Sequence, residues 1–143
     1  MINAEIVDLY PSVENQVSAE EWETRVNLAA CYRLADLYGL TDMTRTHISA
    51  RVPGEETFLL NPYGLMFNEV TASSLIKVDL DGTEISNNGP YKINRAGFTI
   101  HSAVHDARSE VACVMHTHSD AGLALSAMRC GLLFITQHSM RFY

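Results

Sequence analysis

The sequence is short of positive charge. Its 143 residues carry 10 Lys and Arg against 17 Asp and Glu, a net charge of -7, and the arginines are scattered singly. A surface without a basic patch excludes the electrostatic grip that duplex DNA or RNA requires. Long apolar runs are missing too; none approaches the roughly 20 residues that cross a bilayer. The expectation is therefore no nucleic-acid partner and no membrane. The opening MINAEIVDLY carries Glu5 and Asp8 and no basic segment, unlike a secretory leader. Cysteine is scarce: Cys31, Cys113 and Cys130 are odd in number and far apart. They suit neither a disulfide framework nor a zinc knuckle. They are expected as buried thiols in a reducing compartment, the cytoplasm. There is no GxSxG elbow for a nucleophilic hydrolase.

What is present is enough apolar matter, 47% of the residues, for one domain with a real core. Residues 1–17 are polar and mixed, with Pro11, and are expected as an arm over the surface or toward a partner. Ser18 and Glu21 fit a Ser-x-x-Glu capping box. From there Trp22, Val26, Ala29, Ala30, Leu34, Leu37 and Tyr38 recur near the helical period, and Gly39 closes the helix. His47 to Val52 alternates, Pro53 to Glu56 turns, and Thr57 to Leu60 returns, which predicts a hairpin. Leu75 to Leu80, Asp81-Gly82 and Glu84-Ile85 predict a second. Arg95 to Ala107 has helical spacing, Asp120 to Met128 reads as another helix, and Leu132 to Thr136 as a last apolar strand. Helix, hairpin, hairpin, helix, strand, helix, strand is an α/β domain with a largely antiparallel sheet and helices on its faces.

The stretch with chemistry in it is VACVMHTHS, Val111 to Ser119. Five apolar residues predict a strand buried on both faces. Residues two apart on a strand share a face, so His116 and His118 project together from its end. Neutral imidazoles are the commonest ligands for zinc and similar ions. A bare HxH is common by chance. Its placement after a buried strand, with Ser119 ready to cap the next helix, gives it weight. A catalytic zinc normally takes three protein ligands, and no third is obvious nearby. His101 and His105 lie four apart on one helix face. Without a Glu after the first His they do not make HExxH, and the plainer reading is a polar edge packed beside the sheet.

Taken together, THISARVPG at 46–54, LLNPYGLMFNEVTASSLIKVDLDG at 59–82, INRAGFTIHSAVH at 93–105, VMHTHS at 114–119 and QHSMRFY at 137–143 resemble the class II aldolase/adducin family. The resemblance runs from about Trp22 to the last residue, and its bacterial adducin-like branch fits best. It implies an αβα layered domain with a central mixed, largely antiparallel sheet over residues 18–143, and a homo-oligomer, dimer or tetramer. In the aldolase branch the HxH pair supplies two of three zinc ligands, which maps onto His116 and His118. Zinc then acts as a Lewis acid on a small hydroxylated carbonyl substrate. Substrate-holding loops map near Thr44 to His47, with Thr44 and His47 as contacts, and onto Tyr63 and Gly64.

The chain departs from the aldolase pattern in three places. The acid/base Glu position reads Arg95-Ala96-Gly97-Phe98, leaving His101 as a weak substitute. The phosphate loop is replaced by Thr44-Arg45-Thr46-His47. The third zinc His of the family lies downstream of RFY, whereas this chain ends at Tyr143, so the domain is expected to be incomplete at that end. Its zinc should be weakly held unless His101, His105 or His138 supplies the missing donor. The first two departures resemble the adducin-like branch, whose animal members are cytoskeletal and without known catalysis. Two functions follow: a zinc-dependent carbonyl enzyme of aldehyde-lyase type, or a non-enzymatic assembly domain.

Overall fold

The computed structural model of the chain describes residues 9–143. The first eight residues of the expected arm lie outside the described residues. What is seen of it is anchored: Val13 is buried, its N–H donates to Ser73 Oγ, and Asn88 Nδ2 donates to Pro11 O. Helix α1 spans Ala19–Leu37, with Ser18 as N-cap accepting from the Glu21 N–H. Such a cap is worth about 1 kcal/mol. Strands β1 (His47–Arg51), β2 (Thr57–Leu60), β3 (Ile76–Asp79) and β4 (Glu84–Ser86) follow. Then come α2 (Arg95–Ala107), β5 (Cys113–His116) and α3 (Asp120–Ser126). The sheet runs β4-β3-β2-β1-β5, and every neighbouring pair is antiparallel.

Alternation along the strands separates two faces. Ile48, Val52 and Leu59 join Leu28, Tyr32 and Ala35 in a core between the sheet and α1. Phe58, Leu60, Ile76 and Val78 pack with Ile93 and Phe98 on the α2 side. The layering therefore follows the order expected, helix, sheet, helix. The expected hairpins form, and Gly82 takes φ 89° at the second turn.

Four expectations need correction. The buried stripe of α1 is Glu21, Arg25, Leu28, Ala29, Tyr32 and Ala35; Val26, Leu34, Leu37 and Tyr38 are exposed. The reason is a buried ion network. Glu21 receives Arg25 at 2.8 Å and Lys77 of β3 at 2.8 Å, while Arg25 Nη1 donates to the Leu75 carbonyl. Buried charges persist only when paired in this way. Residues 132–136 are not a strand: they are irregular and exposed. Strand β5 is not buried on both faces either. It pairs with β1 alone among the described residues, and Met115 on it is half exposed. Accordingly Cys113 and Cys130 are exposed free thiols rather than buried ones, and Cys31 is half-buried.

Candidate functional site

The ladder between β1 and β5 puts His47 directly opposite His116, and Ser49 opposite Val114. By alternation His47, Ser49 and His116 all face α2, which presents His101 and His105 from successive turns. The result is a continuous line of polar contacts through an otherwise apolar layer. Asp42 Oδ2 lies 2.8 Å from His118 Nδ1, and His118 Nε2 lies 3.2 Å from His116 Nε2. His116 Nδ1 is 3.2 Å from His47 Nε2, and His47 Nδ1 is 2.7 Å from His101 Nε2. His101 Nδ1 reaches Ser49 Oγ at 2.5 Å, and Ser49 Oγ reaches His105 Nε2 at 2.8 Å.

Burial sets the electrostatics. His47, His101 and His105 are 3%, 0% and 1% exposed. Desolvation is the first cause that lowers His47 to about 4 and His101 to about 3, with neighbouring imidazoles adding to it. His105 is lowered by burial and then by Arg51, and His116 by burial and then by His118. The rings are therefore neutral at physiological pH, the form in which imidazole binds metal.

Two tautomer patterns close the line. In the first, every ring carries its proton on Nδ1, and the Nε2 lone pairs of His116 and His118 face each other. In the second, the buried rings and His116 carry it on Nε2, so that His116 donates to His118. Asp42 accepts the His118 Nδ1 proton in both. The first pattern suits a cation. Two nitrogens about 2.0–2.1 Å from a tetrahedral zinc stand about 3.3 Å apart, against the 3.2 Å seen. A carboxylate holding the far nitrogen of a ligating His is the usual support, and Asp42 stands in that place. The HxH pair thus fits two positions of a metal shell. Among the described residues, no group of three or more His, Cys, Asp or Glu is arranged to hold an ion. His101 and His105 are turned to β1, and His138 is exposed in the irregular C-terminal segment.

The other residues singled out are placed as follows. Thr44 is half-buried in the Leu40–Thr46 loop, where Met43 takes φ 50°, a left-handed value uncommon outside glycine. That loop also carries Asp42 to His118, and the His118 N–H donates to the Leu40 carbonyl. Tyr63 is exposed and Gly64 adopts φ 108° on the turn after β2, tied to the approach of α2 by Tyr63 N–H to Lys92 O. Sequence reasoning missed Asp42 and Ser49. Ser49 was within reach, being two residues from His47 on a strand; Asp42 lies 76 residues from its partner and left no local signal.

Where Gly97 stands, α2 passes close to His47. A Cβ at Gly97 would lie 2.6 Å from His47 Cδ2 and 2.9 Å from its Nε2. Gly97 and His47, the two places where the sequence departs from the aldolase branch it resembles, are therefore one packing arrangement. The imidazole fills the space a side chain at 97 would need.

Residues 26–143 match the class II aldolase and adducin N-terminal domain. A Pseudomonas aeruginosa protein, described only provisionally as a class 2 aldolase, is 59% identical over 128 residues, covering 90% of this chain and 49% of that protein. Alpha-adducin of Mus musculus is 50% identical over 119 residues, covering 81% of this chain and 16% of the adducin. The solved L-fuculose 1-phosphate aldolase from Glaciozyma antarctica PI12 superposes with a TM-score of 0.82 at 36% identity, covering 94% of this chain and 53% of the enzyme. The chain spans about half the length of the bacterial relatives it matches.

Proposed function

The chain belongs to the class II aldolase/adducin family, and on that premise we propose that His116 and His118 hold a divalent ion, zinc foremost, for carbonyl chemistry of the aldehyde-lyase type. The observation that carries this is the facing pair of Nε2 atoms 3.2 Å apart, with His118 Nδ1 secured by Asp42 and His116 Nδ1 by His47. A bound ion would act as a Lewis acid toward the carbonyl oxygen of a small hydroxylated substrate. The chain's own part is to present two imidazoles in fixed orientation. Thr44, Tyr63 and Gly64 are the candidate substrate contacts; His47, expected among them, is buried against Gly97 and closed to one, and exposed Arg45, next to Thr44 in sequence, offers charge to an anionic group. The remaining ligand is left to solvent, substrate or residues outside those described.

The second reading, an assembly domain like the N-terminal part of an adducin, is favoured by one observation: no carboxylate occupies position 97, and His47 leaves no room for one. The protein on either reading is a cytoplasmic homo-oligomer, a dimer or tetramer. Exposed Met115, Leu123, Leu132, Leu133, Phe134 and Ile135 supply apolar surface for it. No helix among the described residues is long and apolar enough to cross a membrane.

The deciding experiment is elemental metal analysis of the purified chain, and of a form extended to the length of its relatives, each with and without His116→Ala. Zinc held in the extended form and lost on substitution supports the metal site. Metal content that ignores His116 in both forms removes it. Metal-dependent exchange of the α-proton of small hydroxyketones then separates the enzyme from the assembly domain.

A further inference from the structure

We propose that His47 is a positioning residue of the HxH site, seated in the space Gly97 leaves and holding the His116 ring by Nδ1 so that Nε2 turns to the ion. This rests on the metal reading above and assigns it a second layer. Once His116 Nε2 ligates an ion, the ring's single proton must sit on Nδ1, and the partner there among the described residues is His47 Nε2 at 3.2 Å. His47 must then accept at Nε2 and carry its own proton on Nδ1, which donates to His101 Nε2. His101 passes the same requirement to Ser49, and Ser49, a donor and acceptor in one atom, donates to His105 Nε2. Occupancy at the strand end thus selects one of the two tautomer patterns for the whole buried line.

The packing is built for this. Glycine inside a helix is less favourable than alanine, and Gly97 is buried in the first turn of α2, where alanine would suit the backbone. The absent Cβ is what admits the His47 ring. The β1–β5 register fixes the other side, since His47 and His116 are paired residues of one ladder. With both ring nitrogens bonded and 3% of its surface exposed, His47 is placed to orient a ligand.

The test is zinc affinity by chelator competition, with histidine-selective ¹⁵N spectra before and after zinc. His47→Leu should weaken binding by about 10–100-fold, and His47→Gln, whose amide oxygen can accept from His116 Nδ1, should recover all but about threefold. Gly97→Ala should weaken binding as His47→Leu does, by displacing the ring, and should add no loss in a His47→Leu background. The spectra should show Nδ1–H on His47 and His101 once zinc is bound. If His47→Leu and Gly97→Ala bind zinc like the unaltered chain while His116→Ala does not, the proposal falls and the metal site stands. If His116→Ala also changes nothing, both fall. Should His47→Leu fail to fold, Gly97→Ala decides alone, and unchanged affinity there overturns the proposal.

Discussion

Asp42 Oδ2 and His118 Nδ1 stand 2.8 Å apart although 76 residues separate them. This contact ties the loop after α1 to the segment after β5. On the proposed reading it is also the carboxylate support of a ligating histidine. Asp42→Ala should lower zinc affinity about 10–100-fold, whereas Asp42→Asn, which keeps an acceptor oxygen, should lower it less. Chelator competition measures both. Equal loss in the two variants would assign the effect to charge rather than to orientation.

Acid should unfold the protein earlier than its carboxylates alone would. Burial lowers His101 to about 3 and also lowers His105, from an ordinary value of 6.5. The unfolded chain therefore takes up protons at these rings as pH falls through about 6.5, while the folded chain takes them up only at lower pH. Stability contributed by the neutral rings is complete above that pH and shrinks below it, by up to about 1.4 kcal/mol per pH unit for each ring. Urea unfolding at about pH 7 and about pH 5 should show the drop, and His101→Gln should reduce it. A flat profile across that interval would rule out buried neutral histidines.

The ion network under α1 is expected to matter more for folding than its polarity suggests. Glu21 is 4% exposed and binds both Arg25 and Lys77. Glu21→Ala leaves Arg25 with its carbonyl partners and Lys77 with Glu55. The cost should accordingly sit near the lower end of the roughly 3–5 kcal/mol for breaking a buried pair. Chemical denaturation checks it; a change under about 0.5 kcal/mol, typical of a surface site, would contradict the burial.

Retro-aldol cleavage of phosphorylated deoxy-sugars should be absent. Cleavage needs a positioned acid/base, a contribution of about 10²–10⁴-fold, and position 97 is a glycine overlain by an imidazole. An assay with added zinc on several sugar phosphates tests this. Turnover near about one per second, abolished by His116→Ala, would overturn it.

Much of this was legible in the residues. The HxH after an apolar run, the capping serine of α1 and both hairpins follow from local pattern, because each is set by neighbours in sequence. The buried face of α1 was not, since Glu21 and Arg25 count as surface residues until Lys77 is known to lie beneath them. Nor was the exposure of β5. An apolar run declares that something can cover it, without naming what does, and Cys113 and Met115 are open here. His47 illustrates the same gap within the site. Its partners His101 and His116 are 54 and 69 residues away, so that sequence alone set it at the start of a strand and among the substrate contacts, not beside His116.

Strand β5 hangs from the sheet by one ladder, four residue pairs long, among the described residues. Amide hydrogens in such a strand can exchange through a small local opening, while those of β2 and β3 require the core to come apart. An ion held by His116 and His118, with His118 fastened to Asp42, would bolt that outer strand to the loop after α1. Slow exchange confined to residues 113–116, appearing only when metal is added, would then report occupancy. The same strand, left unbolted, would be the first part of the fold to let go.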